Sequence, residues 1–237
     1  MELKYELQKY KEVILNLIEK EKEFSVRFYV IDDEIESKIE LALTLIFEKY
    51  NRPDLTGVIY TCIKELMVNA TKANLKRILF EKENININDE EQYIKGMLTF
   101  REFLNEKTYI NYFDDLKKND YWVTVNFNYS IDGIKIEVIN NAHITKIEDK
   151  RLREKLKKAM SYDDIAQFYM DLGDEIEGAG MGIALIVMLL KGLSIDPALF
   201  RIGNTKDMKT FARIEIPLTD NYISMRDPRR INKWIYC

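Results

Sequence analysis

Apolar residues recur along residues 2–22 in alternating steps of four and three, at Leu3, Leu7, Tyr10, Ile14 and Leu17. That spacing predicts an amphipathic helix whose stripe serves either for docking on its own domain or for dimerisation. Phe24, Val26, Phe28 and Val30 then alternate with Ser25, Arg27 and Tyr29, the period-two mark of a half-buried strand. Asp33 followed by Glu36 resembles a capping box and opens a helix expected to run to about Tyr50, before Pro53 and Gly57 break it. A second long helix is predicted over about Leu55–Phe80, followed by short helical patterns near 89–104 and 109–118. Strands at about 121–130 and 134–140 flank Asp132-Gly133, a hairpin signal. Residues 145–177 are charged and helical in part, and a glycine cluster at 178–182 opens an apolar helix over 183–192. Segments 200–203 and 210–217 read as further strands. The order predicts an α+β fold, a two-layer sandwich with helices on one face of a mixed, mostly antiparallel sheet.

Composition narrows the chemistry. The 237 residues are 46% hydrophobic and 32% charged, enough to bury a core without disulfide or metal staples. The net charge of −4 provides no global basic field, so no nucleic-acid partner is expected. Two cysteines, Cys62 and Cys237, exclude a disulfide framework and point to the reducing cytoplasm. Charge throughout the first residues predicts no secretory signal. The longest apolar run, Ile183–Leu190, falls short of the roughly twenty residues of a membrane span, so no membrane partner is expected. His143 is the single histidine, which argues against a His-based metal site, a Ser or Cys triad and histidine phosphotransfer within this chain.

Three segments carry candidate chemistry. In Glu65-Leu-Met-Val-Asn69-Ala70-Thr-Lys72-Ala-Asn74, helical steps put Glu65, Asn69, Lys72 and Lys76 on one face, with Ile59, Ile63, Leu66, Met67 and Ala70 toward the other. Such a row can polarise a nucleophile, coordinate a hard cation and contact phosphate, and it is equally the pattern of a solvated helix face. In Gly178-Ala-Gly180-Met-Gly182, glycines two apart before a helix let backbone N–H groups approach an anion, although neither a Walker nor a dinucleotide fingerprint is present. The third segment, Ile136-Glu-Val-Ile139-Asn140-Asn141-Ala142, is a strand running into a polar turn.

In this order the segments resemble the GHKL superfamily, the Bergerat-fold ATPase domain of type II topoisomerases, MutL proteins, histidine kinases and anti-sigma-factor kinases. Glu65, Asn69 and Ala70 match its N-box, and Gly178–Gly182 with the following Ile-Ala-Leu-Ile-Val helix resembles the glycine box that closes the ATP lid. Phe168-Tyr169 stands where histidine kinases carry an aromatic box, and Thr210-Phe211 opens a strand like the family's last, whose Thr lies near the adenine. The resemblance covers about 24–218 and implies ATP and Mg²⁺ as cofactors. It implies Glu65 as general base, Asn69 on Mg²⁺ and Lys72 on phosphate. It further implies nucleotide contacts from Asn74, Asn140, Ala142, Phe168, Gly178, Gly180, Met181, Gly182 and Thr210.

One departure stands out. Where the family has Asp-x-Gly, this chain has Asn140, Asn141 and Ala142. An amide oxygen still accepts from an adenine amino group, but without charge assistance. The cost is about 1–3 kcal/mol, or about ten- to a hundredfold in affinity. An Asn NH₂ group could alternatively donate to the O6 of guanine. Asp171-Leu-Gly173 also matches Asp-x-Gly, but it lies in the lid rather than after a strand. Residues 1–50 contain no histidine, so phosphotransfer to a preceding helical hairpin cannot occur here. His143 reads as an incidental turn residue or a ligand contact.

The expected organisation is a helix over 1–23 for docking or dimerisation, an ATPase domain over 24–218 and a basic-aromatic tail over 219–237. A helical stretch at 81–120 is either a partner-binding insertion or an extra packed layer. The tail carries Arg226, Arg229, Arg230, Lys233, Trp234 and Tyr236, and it either binds phosphate or an acidic partner or packs on its own domain. The implied function is a stand-alone, ATP- and Mg²⁺-binding signalling domain, a nucleotide-dependent switch or a Ser/Thr kinase acting on a protein partner. The alternative is a GHKL scaffold that regulates by protein contacts without ATP turnover.

Overall fold

The computed structural model describes residues 2–105, 112–162, 165–172 and 181–227. Five antiparallel strands form one sheet: β1 (Phe24–Phe28), β2 (Val123–Tyr129), β3 (Gly133–Asn140), β4 (Phe200–Asn204) and β5 (Thr210–Pro217). Their order is β1-β2-β3-β5-β4, and each described pairing is antiparallel, so the parallel component of a mixed sheet is absent among the described residues. The period-two pattern sorts the two faces. Val125, Phe127, Ile134, Ile136, Val138, Ile214 and Ile216 are buried on one side, while Asn126, Glu137 and Arg213 lie in register on the other. The inner row of β3 ends on a polar residue, Asn140, which is paired with Val123 of β2 and Thr210 of β5.

Helices cover the apolar face, giving an α+β sandwich. The core joins Leu43, Ile46 and Phe47 of α2 (Asp33–Lys49), Ile59, Ile63 and Met67 of the long α3 (Thr56–Lys82), and Ile186, Val187 and Leu190 of α8 (Met181–Gly192). α2 begins at Asp33, where the pattern put its start, but the capping residue is the one before. Asp32, not Asp33, is the N-cap, accepting from the Ile35 N–H at 2.8 Å, and Asp33, Glu34 and Glu36 then place negative charge in the first turn. α1 (Glu2–Glu19) lies on α2 through Ile14 and Ile18, and Lys49 Nζ donates to the Ile18 carbonyl near its C-terminus.

The stretch after α3 builds a second apolar cluster. α4 (Glu90–Asn105) and α5 (Phe113–Lys118) contribute Tyr93, Phe100, Phe103 and Leu116, which pack with Leu75, Ile78, Leu79 and Phe80 from the C-terminal half of α3. Gly96 is required at this seam, because a Cβ there would lie 2.8 Å from Phe80 Cζ. The described part of 81–120 thus packs on α3 as a helical layer. After β3 come α6 (Lys146–Met160) and α7 (Ile165–Leu172). α6 opens with a full capping box between Thr145 and Glu148. The described part of the tail returns to the polar side of the sheet, where Tyr222 Oη and the Met225 N–H both donate to Glu215 Oε2. Arg229, Arg230, Lys233, Trp234 and Tyr236 lie outside the described residues. Among the described residues, no helix is long and apolar enough to cross a membrane.

Candidate functional site

The site grows from the middle of α3. Its Ile59, Ile63, Leu66 and Met67 are buried, and the helical period then turns Glu65, Asn69 and Lys72 away from the core. Asn69 is exposed, and Glu65 and Lys72 are half-buried. Among the described residues none of these three has a hydrogen bond or an ion pair. Their neighbours on the same helix behave differently, for Lys64 is paired with Glu36 at 2.8 Å and Lys76 with Glu148. Three polar groups of complementary chemistry are thus held side by side with their bonding capacity unspent.

The N-terminus of α8 sits over this row. A Cβ built on Gly182 would overlap Glu65 Oε2 and stand 3.4 Å from Asn69 Nδ2, so only glycine brings the α8 backbone this close with Glu65 as it stands. The first turn of an α-helix has N–H groups without intrahelical partners and the positive end of the helix dipole. α8 is fixed in that position by Ile186, Val187 and Leu190, all fully buried. Met181 is its first residue, while Gly178 and Gly180 lie outside the described residues.

A second polar group lies where β3 leaves the sheet. Asn140, 2% exposed, donates from Nδ2 to Asn74 Oδ1 at 3.0 Å and to the Ala142 carbonyl at 3.2 Å. Asn74 is fully buried and donates in turn to the Trp122 carbonyl at 3.1 Å. Thr210 Oγ1 donates to the same Ala142 carbonyl at 2.6 Å. Asn74, Asn140, Ala142 and Thr210 therefore converge, with Asn74 standing behind Asn140 rather than on an open surface. Asn141 braces the neighbouring loop, where its side chain accepts from the Trp122 N–H at 2.9 Å and donates to the Asp120 carbonyl at 2.6 Å.

One expectation is corrected. Lys76 does not join the open polar row but turns into a buried cluster with Arg77 and Glu148. Burial alone would raise the Glu148 carboxyl, yet Lys76 and Arg77 together hold it down at about 2. Phe168 is 5% exposed and packs edge-on against Tyr162 at 5.2 Å, joining α7 to the core. The Arg77–Glu148 pair, which also reaches the His143 carbonyl through Arg77, escaped the sequence reading; its only trace there is the Thr145-x-x-Glu148 capping pattern. His143 itself is exposed. Cys62 is fully buried, and desolvation pushes its thiol up to about 12, which removes it as a nucleophile.

The donor set limits the metal chemistry. Among the described residues no group of three or more His, Cys, Asp or Glu side chains could hold an ion. Asn69 offers an oxygen to a hard cation that takes its remaining ligands from water and phosphate, the habit of Mg²⁺. A shallow cavity of about 250 Å³ lies on the polar face of the sheet, lined by Arg27, Trp122, Asn126 and Lys209, and none of the predicted site residues lines it.

No protein-family model matches the chain, and no solved structure matches it. The chain is similar to an uncharacterized protein of Treponema pallidum (strain Nichols), with 30% identity over 207 residues. The matched region covers 87% of this chain and 40% of that protein, so the chain spans less than half the length of this relative.

Proposed function

We propose that the chain is a GHKL-type domain of the cytoplasm that binds ATP with Mg²⁺ and works as a nucleotide-dependent switch or as a kinase for Ser or Thr on a protein partner. One observation carries this reading: Gly182, at the start of α8, is set against both Glu65 and Asn69 of α3. Segments 117 positions apart (182 − 65) are thereby brought to one place, each contributing what an anionic nucleotide needs.

The residues fit the missing groups. Asn69, Lys72 and Glu65 have unspent bonding capacity, and Gly182 leaves the backbone open where a side chain would fill it. Bound Mg²⁺ would neutralise phosphate charge and polarise the phosphoryl group. Asn69 would hold it, and Lys72 would contact phosphate. The glycine run ending at Gly182, with the α8 N-terminus, would cradle the phosphate oxygens. Asn140 and Thr210 would face the base. Glu65 would accept the proton of the attacking hydroxyl, from water or from a partner's Ser or Thr. The alternative, a scaffold without ATP turnover, draws on Asn140 and Ala142 standing where the family carries Asp-x-Gly.

Asn69→Ala tests the assignment. It should abolish Mg²⁺-dependent binding of an ATP analogue while leaving the thermal unfolding midpoint within a few degrees, because Asn69 is exposed and unpaired. Binding that remains equally Mg²⁺-dependent in Asn69→Ala would refute the role given to this residue.

A further inference from the structure

The hydrogen bonds around Asn140 leave only one orientation for its amide. A backbone carbonyl can only accept, so the Asn140 atom 3.2 Å from the Ala142 carbonyl must be the NH₂ group. The same NH₂ group lies 3.0 Å from Asn74, whose facing atom must then be its oxygen. That leaves the Asn74 NH₂ group toward the Trp122 carbonyl at 3.1 Å, again an acceptor, so the two carbonyls fix both amides consistently from either end. Thr210 adds to the pattern, because its hydroxyl proton is committed to Ala142 at 2.6 Å. Both Asn140 donors are spent within the protein. The oxygen Oδ1 accepts nothing among the described residues and is not one of the fully enclosed side-chain atoms without a partner.

We infer that Asn74 is a specificity-determining positioning residue. Together with the Ala142 carbonyl it locks Asn140 and makes the Asn140–Thr210 floor an acceptor-only surface, which accepts from a 6-amino group and has no donor for a 6-oxo group in the same place. The inference rests on the nucleotide reading above and deepens it. The carbonyl oxygen of Asn140 does what a carboxylate oxygen would do, and the donation to guanine O6 that an unconstrained asparagine permits is opposed by the Asn74 and Ala142 contacts, which take both NH₂ hydrogens. A buried polar group without a partner is costly, and a 6-oxo group set against Oδ1 places two acceptors together.

The test compares an ATP analogue with a GTP analogue, both with Mg²⁺, by titration calorimetry on the full chain. The wild type should prefer the adenine form by at least about tenfold, the penalty of one mismatched buried acceptor. Asn74→Leu removes one of the two acceptors that hold the Asn140 NH₂ group and leaves only the 3.2 Å contact to the Ala142 carbonyl, so the amide is held less firmly and the preference should fall to within about threefold. Independently of any ligand, the Asn140 side-chain NH₂ signals in the wild-type protein should be protected from solvent exchange. An adenine preference unchanged by Asn74→Leu, or an Asn140 NH₂ group that exchanges freely, would overturn this inference alone. If neither the wild type nor Asn140→Asp binds any nucleotide, the nucleotide reading fails and takes this inference with it.

Discussion

Arg77 and Glu148 meet in a two-pronged contact, at 3.1 and 2.6 Å, that fastens the first turn of α6 to the long helix α3. Glu148 also accepts from Lys76 and from the Thr145 N–H at 2.9 Å, so one carboxylate closes a capping box and serves as the shared counter-ion of two largely buried cations. α6 begins six residues after Asn140 (146 − 140), so this ion cluster also anchors the chain leaving the Asn140 end of β3.

The cluster should therefore govern acid stability. Glu148 has its folded pKa depressed from 4.5 to about 2, so its contribution is present above the unfolded value and is lost as the pH falls from about 5 toward 2. Glu148→Ala at pH 7 should cost about 3–5 kcal/mol, because buried Lys76 and Arg77 lose their counter-ion. Denaturant unfolding between pH 2 and pH 7 checks both points: the wild-type curve should fall more steeply with acid than that of the variant.

Gly182→Ala should separate ligand binding from folding. The added methyl meets the flexible end of Glu65, which can move aside, so the unfolding midpoint should change little. Displacing Glu65 and crowding Asn69 should nonetheless weaken Mg²⁺-dependent nucleotide binding by about tenfold or more. Paired thermal melts and nucleotide titrations would show the contrast.

Glu65→Gln should leave nucleotide affinity within about threefold of the wild type and reduce any hydrolysis or transfer by about a hundredfold or more, the usual weight of a general base. A single-turnover assay with labelled ATP, with and without candidate acceptor proteins, measures this directly.

Leu116→Ala should report on the helical layer at 81–120. Leu116 is fully buried in the second cluster, so its truncation should cost about 2–5 kcal/mol of global stability. If 81–120 were only a partner-binding appendage, denaturant unfolding of the variant would match the wild type.

Much of this was legible in the sequence because the relevant signals are local. The period of two across 123–129 and 133–140 and the helical period of α3 placed the inner face, and the four- and three-residue steps put Glu65, Asn69 and Lys72 on one row. What escaped were pairings that only tertiary structure creates. Lys76 has the same helical phase as Lys72, but Glu148 arrives from 72 residues away and draws it inward. Phe168 packs edge-on against Tyr162, a partner that its spacing in the sequence does not name. Asn74 is implied by the resemblance as a nucleotide contact, whereas Trp122 and Asn140 occupy both ends of its amide, a pairing that nothing local in the sequence announces.

The most direct test of the central claim is calorimetric titration of the purified chain with a non-hydrolysable ATP analogue, with and without Mg²⁺. The account predicts saturable binding in the micromolar range that weakens sharply when Mg²⁺ is withdrawn. No heat at millimolar nucleotide, in a cell whose sensitivity has been verified, would contradict it and leave a scaffold that works through protein contacts.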